Sequence, residues 1–212
     1  MKTLKQNIPL TAIALVALAA LAVGAVAQSG GGTPPGEGVS QVTTIEAEAQ
    51  EAMAVLDTSR TASDVMPEEV AESIDENARF GMNPDLSRES INTVANDVYV
   101  VPADDHICMS LTVGDGANIS CRETEDVADG DTGAATVTLA GGSIGIYGIV
   151  PDGVESVTVN TGESDSDVVD VQDNAYLAVL PEGTPLRTLS YTGPSGVVEF
   201  PLYDPAVVFE EE

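Results

Sequence analysis

The sequence has no tryptophan, three phenylalanines, two cysteines and one histidine among its 212 residues. Without large aromatic residues, a core has to be built mainly from Val, Ile, Leu and Ala, and it buries little aromatic area. One histidine cannot form the zinc sites that use two histidines. No second histidine is present that could serve as the base of a catalytic serine. Ser195 lies in GPSG, a turn without the G-x-S-x-G spacing of a nucleophile elbow. We therefore predict no catalytic residue.

Basic residues are also scarce, with seven Lys and Arg against 35 Asp and Glu and a formal net charge of −28. If the first 27 residues are removed, both lysines leave with them, and 35 acids against five arginines give −30. Such a field repels phosphate, so we expect neither nucleic acid nor an anionic lipid surface as a partner. Dispersed acids are typical of a solvated surface, and they suit a saline habitat in which salt screens their repulsion.

The N-terminal segment predicts export. Lys2 and Lys5 precede an apolar run over residues 8–26, and Ala25-Val26-Ala27 offers the small residues that a signal peptidase recognises. Cleavage would start the mature chain at Gln28, whereas the uncleaved run approaches the ~20 residues that span a bilayer and would act as an anchor. Both alternatives place the remaining chain outside the cytoplasm, either secreted or anchored at the cell surface.

Composition divides the rest of the chain into four parts. Residues 28–40 are a Gly/Pro linker, 41–95 are helical and rich in turns, 96–205 form a β-domain, and 206–212 are an acidic tail. A membrane contact is expected only through residues 1–27, if that segment is not removed.

Two short helices are predicted before the β-domain. Residues 42–56 carry an apolar stripe, and Thr43 and Glu46 have the spacing of a capping box. A second helix is predicted to begin at Pro67, because proline suits the first helical position.

The β-domain is predicted from short apolar segments that alternate with turns of Gly, Pro, Asn and Asp. Turn signals at a spacing of about 8–12 residues indicate an antiparallel sandwich or a small barrel. No alternation of strand and helix is present, which disfavours a parallel nucleotide-binding sheet. The predicted strands are residues 91–94, 98–101, 106–113, 117–121, 135–140, 144–150, 154–159, 168–171, 175–180, 186–191 and 197–200.

Cys108 and Cys121 are predicted to form a disulfide, because an even cysteine count in an exported chain favours one. They lie at the two ends of a strand–turn–strand unit, which would bring them opposite each other. The alternative is a reactive thiol with His106 as its base, but no third group is evident that would orient the histidine.

Two groups of aspartates are candidate cation sites, and calcium is the cofactor that their oxygen ligands would suit. Both groups suit solvated turns equally well, and the second does not fit the spacing of an EF-hand loop. The first group is Asp165, Asp167 and Asp170, and the second is Asp126, Asp129 and Asp131.

A longer pattern runs over residues 79–200 and includes FGMNPDLSR, VYVVPADDHICMSL, YGIVPDGVESVTV and DNAYLAVLPEGTPLRTLSYTGPSG. In this pattern the chain resembles a group of uncharacterised exported proteins from actinobacteria, in which a hydrophobic N-terminal segment precedes a two-cysteine β-domain. The resemblance implies that both cysteines and the PDGV turn belong to one domain. It implies no activity and no catalytic residue.

These features lead us to expect an exported, non-enzymatic β-domain that acts at the cell surface or outside the cell by binding or as a structural element. A first alternative is a secreted hydrolase that uses acidic residues with a divalent cation. A second is a membrane-tethered extracytoplasmic sensor domain, although only about seven residues precede the apolar run.

Overall fold

The computed structural model describes residues 41–76, 80–162 and 165–203; the predicted signal or anchor segment, the linker and the acidic tail lie outside these ranges. The described residues are mainly β, as predicted, and no helix among them is long and apolar enough to span a bilayer. The helices are α1 (Ala47–Ala52), α2 (Ala54–Asp57), α3 (Glu68–Glu76) and α4 (Thr124–Asp129). The strands are β1 (Arg88–Asn92), β2 (Asp97–Pro102), β3 (His106–Val113), β4 (Gly116–Glu123), β5 (Ala135–Thr138), β6 (Ile144–Ile149), β7 (Ser156–Asn160), β8 (Ser166–Asp170), β9 (Ala175–Leu180), β10 (Thr188–Gly193) and β11 (Gly196–Pro201).

The strands form three antiparallel sheets. Sheet A has the order β1-β2-β3-β4, sheet B the order β5-β6-β9, and sheet C the order β11-β10-β7-β8. None of them closes on itself within the described part of the chain, so the predicted small barrel is not formed there. The predicted antiparallel pairing is confirmed, but as a stack of three sheets.

Sheet B is the middle layer because both of its faces are apolar. Successive side chains of a strand point to opposite faces. On β6, Tyr147 and Ile149 therefore pack into the core that sheet B shares with sheet A, while Ile144 and Ile146 pack into the core shared with sheet C. All six residues of β6 are buried.

Sheet A has a second apolar face on the side away from sheet B. There, Tyr99 and Val101 of β2 pack with Val70 and Ile74 of α3. The helix begins directly after Pro67, as predicted, and its two apolar contacts are buried. The layers thus run from α3 through sheets A and B to sheet C.

The predicted helix over residues 42–56 is wrong in its extent. It is divided into α1 and α2 at Met53, whose φ of −142° and ψ of 108° are extended and whose side chain is fully buried. The predicted capping box is also not formed, since the N-cap of α1 is Glu46, which makes no capping hydrogen bond with its side chain.

The first two N–H groups of α2 are capped by side chains from the β-domain. The Ala54 N–H donates to Asp152 Oδ1 at 2.8 Å, and the Val55 N–H donates to Asn174 Oδ1 at 3.1 Å. These partners are distant in sequence, so a local capping pattern could not predict them.

One further prediction is corrected by a turn, and one helix was not predicted. The first strand is Arg88–Asn92 and not 91–94, because the chain reverses where the Thr93 N–H donates to Asn96 O at 3.1 Å. Helix α4 was not predicted, although Gly130, with its φ of 88°, ends it as glycine often ends a helix.

Candidate functional site

An open groove of about 1010 Å³ is lined by an edge strand from each of the three sheets. We call it the β8–β9 groove, since most of one side is β8 and much of its length follows β9. The turns after β1 and β3 and the segment between β5 and β6 also line it. Its main lining side chains are Ile91, Val113, Asp167, Val169, Leu177 and Val179.

The edge of β9 that borders the groove has no strand partner in the described chain: β9 pairs with β6 on one side, and on the other only Ala175 is bridged, to Gln172. The Val150 N–H donates to Asn174 O at 2.8 Å, so residue 150 points its backbone groups toward residue 174. Hydrogen-bonded pairs alternate along an antiparallel ladder, and the bonds to β6 therefore fall on residues 176, 178 and 180. The backbone N–H and C=O groups of Leu177 and Val179 point away from β6.

The edge of β8 is unpaired in the same way, because β8 pairs only with β7 in the described chain. The Val171 N–H donates to Glu155 O at 2.9 Å, which by the same alternation directs the backbone groups of residues 167 and 169 toward β7. Val168 consequently has outward backbone groups, and its side chain is 68% exposed. Two strand edges thus border one groove.

The groove is apolar with an acidic wall. Asp167 lies opposite Val159, whose side chain is buried between sheets B and C, so the Asp167 side chain lies on that same face of β8. Asp170 is three residues further along and lies on the opposite face. No Lys, Arg or His is found among the described lining residues. A cationic group therefore meets no repulsion from the lining.

The two predicted aspartate groups are not brought together. Among the described residues, neither group places its carboxylate oxygens within 4.8 Å of one another. In the first, Asp167 and Asp170 point to opposite faces of a strand. In the second, Asp126 and Asp129 lie on α4 and only Asp131 follows it, because the segment forms a helix and not a loop. Metal binding by either group stays a prediction.

A third acidic cluster was missed by the sequence analysis. Glu46, Asp104 and Asp105 are all exposed, and their carboxylate oxygens lie within 4.8 Å of one another. The two neighbouring aspartates are visible in the sequence, but Glu46 is remote from them and reaches the cluster only through the fold. Oxygen donors of this kind suit calcium, although exposed acids also gather without an ion.

The predicted disulfide between Cys108 and Cys121 is confirmed. The two residues are directly opposite each other on β3 and β4, with a Cα–Cα distance of 4.0 Å. Since they are the only cysteines of the chain, no thiol remains for the alternative in which His106 acts as its base. The His106 ring packs against Phe80 at a centroid distance of 4.4 Å, and its Nδ1 lies 2.8 Å from Asp104 O.

Buried tyrosines link distant parts of the structure. Burial raises the pKa of Tyr147 and of Tyr176, which keeps both hydroxyls protonated. The Tyr147 hydroxyl donates to Asn118 O at 3.0 Å and so joins sheet B to sheet A. The Tyr176 hydroxyl donates to Gly133 O at 3.3 Å. These hydroxyls therefore donate hydrogen bonds that stabilise the fold.

No family model, curated protein or solved structure matches this chain. The β8–β9 groove combines apolar side chains, two unpaired strand edges and one negatively charged wall. Such a surface can hold a ligand by backbone hydrogen bonds and by burial of apolar groups.

Proposed function

We propose that the protein is an exported, non-enzymatic binding domain and that the β8–β9 groove is its binding surface. The observation that carries this proposal is the pair of free edges, at Leu177 and Val179 on β9 and at Val168 on β8, that border one apolar groove. Exposed edges of this kind are usually covered, charged or shortened in proteins, and an uncovered one bordering a groove is a ready docking surface.

Two features support a place outside the cytoplasm. The cross-strand disulfide between Cys108 and Cys121 is of the kind that persists in oxidising compartments. The N-terminal segment has the composition of an export signal, with or without removal at Ala27.

The groove offers little for bond-breaking chemistry. Its titratable groups among the described residues are Asp167 and Asp170, and these lie on opposite faces of β8. A pair of carboxylates acts on one bond only when both face it across a short gap. A role in binding therefore uses the features of the groove better than a role in catalysis.

The test is photo-crosslinking in the organism that makes the protein. A photoreactive amino acid is placed at Val179, inside the groove, and in a control at Val197, which is 79% exposed on sheet C. We expect defined adducts from the first position only, recovered in the extracytoplasmic fraction. Equal adducts from both positions, or none from the Val179 position, would argue against a binding role for the groove.

A further inference from the structure

We infer that the β8–β9 groove binds an extended segment of another protein, which adds to β9 as a fourth strand of sheet B and carries Lys or Arg at alternate positions. This inference rests on the proposed function, because it specifies the partner of the same groove. It follows from three observations: the direction of the free backbone groups, the two walls of the groove, and its charge.

The free backbone groups of β9 set the mode of binding. The N–H and C=O groups of Leu177 and Val179 point away from β6, and the described chain supplies them with no strand partner. Ala175, the preceding residue with the same orientation, is already satisfied, since its N–H and C=O bond Gln172. Pro181 directly follows β9 and limits the free edge at its other end. The edge therefore offers two donors and two acceptors to a short added strand.

The two walls of the groove set the pattern of side chains. A strand added to the middle sheet would send alternate side chains toward sheet A and toward sheet C. The sheet A wall contains Ile91 and Val113, which favour apolar residues. The sheet C wall contains Asp167 next to Val169, which favours a cationic residue with an aliphatic stem. An alternation of apolar and basic residues fits both walls.

Charge decides which occupant is favoured. Asp167 lies on the sheet C wall of the groove, Asp170 lies on the opposite face of the same strand, and the described lining has no basic residue. A second copy of this chain would bring a net charge of −28, and residues 204–212 of the chain itself include four acids and no base. Both would be repelled, whereas a basic segment of a different protein would be attracted.

A purely structural role for Asp167 makes a different prediction. An inward-pointing charge near a free edge can serve to prevent edge-to-edge association of identical chains. In that case, neutralising Asp167 should cause self-association and should leave the affinity for basic peptides unchanged.

The first experiment compares three synthetic nine-residue peptides by isothermal titration with the purified chain. One alternates Lys and Val, one alternates Glu and Val, and the third is the Lys–Val peptide with a methyl group on every backbone nitrogen. We expect binding of the first only. Loss of its N–H donors should weaken the third by at least about 30-fold, since it removes hydrogen bonds to the edge. Equal binding of the methylated peptide would overturn strand addition, and equal binding of the Glu–Val peptide would overturn the charge argument.

The second experiment changes the protein. Asp167→Asn should weaken binding of the Lys–Val peptide by about 1.4- to fivefold, the range of an exposed ion pair, and the effect should vanish in high salt. Asp129→Asn, on the exposed face of α4, is the matched control and should leave the affinity unchanged. Val179→Pro should abolish binding because it removes an outward N–H without touching the ladder to β6. A melting curve of this variant shows whether it is folded. If it is unfolded, the methylated peptide still tests whether binding needs backbone hydrogen bonds to the edge of β9.

The remaining occupants are separate outcomes. Peptide binding that appears only after removal of residues 204–212 would make that segment the occupant, and dimers of the unaltered chain that Val179→Pro dissociates would make it a second copy. Either result overturns the inference. If the basic peptide fails while crosslinks at position 179 persist, the inference fails and the proposed binding role survives; if the crosslinks are also absent, both fail.

Discussion

The carboxylate of Asp64 accepts a hydrogen bond from the backbone N–H of Glu89 at 2.8 Å and so ties the segment before α3 to strand β1. The same carboxylate accepts from the N–H and the hydroxyl of Thr61. Burial of Asp64 acts to raise its pKa, but the hydrogen bonds from Thr61 and Glu89 and the nearby charge of Arg88 lower it by more, so that the pKa lies below its ordinary value.

We expect Asp64→Asn to reduce the free energy of unfolding by about 1–3 kcal/mol, because one backbone N–H would face an amide NH₂ in place of an acceptor. Urea denaturation measures this loss. Asp115→Asn, at an exposed turn between β3 and β4, is the control and should change the stability little. An equal loss in both variants would show that general charge, and not the hydrogen-bonded carboxylate, is responsible.

The pH dependence of this effect has a defined sign. The folded pKa of Asp64 lies below its ordinary value of 3.8, so its contribution to stability is fully present above that pH. It should be lost as the pH falls through the lower, folded pKa. The difference in stability between the unaltered chain and Asp64→Asn should therefore shrink below about pH 4, as acid titrations of both proteins at fixed ionic strength would show. A difference that grew there would contradict the assignment.

Removal of the disulfide should be costly. Cys108→Ser should reduce the stability by about 2–5 kcal/mol, the usual loss for a native bridge in a small secreted domain. Peptide mapping without reductant should find the Cys108–Cys121 pair, and two free thiols in protein isolated without reductant would refute it. Adding reductant to the unaltered chain should reproduce the loss and should leave the double variant Cys108→Ala, Cys121→Ala unchanged.

Gly148 is required for packing rather than for flexibility. A Cβ at this position would collide with the ring and hydroxyl of Tyr176, which is fully buried. Gly148→Ala should therefore cost about 1–3 kcal/mol, as overpacking of a core does. Gly116→Ala is the matched control, because a Cβ there meets no atom within 4 Å. Thermal melts of the two variants compare them directly, and equal melting temperatures would contradict the predicted collision.

Sodium chloride should stabilise the protein without saturating at low concentration, because salt screens repulsion within a chain of net charge −28. A calcium site would instead add a saturable gain at micromolar to millimolar calcium, even at high salt. Melts over a salt series, each repeated with calcium and with chelator, separate the two effects. If calcium adds a large gain, Asp105→Asn is the first variant to test, since Asp105 belongs to the group with converging oxygens.

Strand positions were the part of the fold that the sequence could predict. Residues 106–113 and 175–180 form strands over the predicted ranges, because short apolar segments between turn residues have few other ways to bury their side chains. Pairing was not predictable in the same way. The turn at residues 151–153 joins β6 to β7, yet these two strands belong to different sheets. Turn residues indicate where the chain changes direction, but they do not determine which strands pair with each other.

The groove was missed for this reason. Val168 and Val179 are ordinary strand residues in the sequence, and only the sheet order shows that each lies on an unpaired edge. The acidic cluster at Glu46 was missed because its members come from separate parts of the chain. The disulfide was predictable because Cys108 and Cys121 lie within one local hairpin, where sequence spacing alone sets the distance between them.

The caps of α2 have a consequence for the order in which the chain acquires structure. The acceptors of its first two N–H groups lie 98 and 119 residues later in the sequence. At a ribosomal rate of 5–20 residues per second, Asn174 is made about 6–24 s after Val55. During that interval, α2 lacks its caps, and both α1 and α2 lack the strands on which they pack. Although α1 and α2 are the first of the described elements to be synthesised, they therefore lack stabilising partners until the later strands are made, and during that time they are accessible to chaperones and proteases.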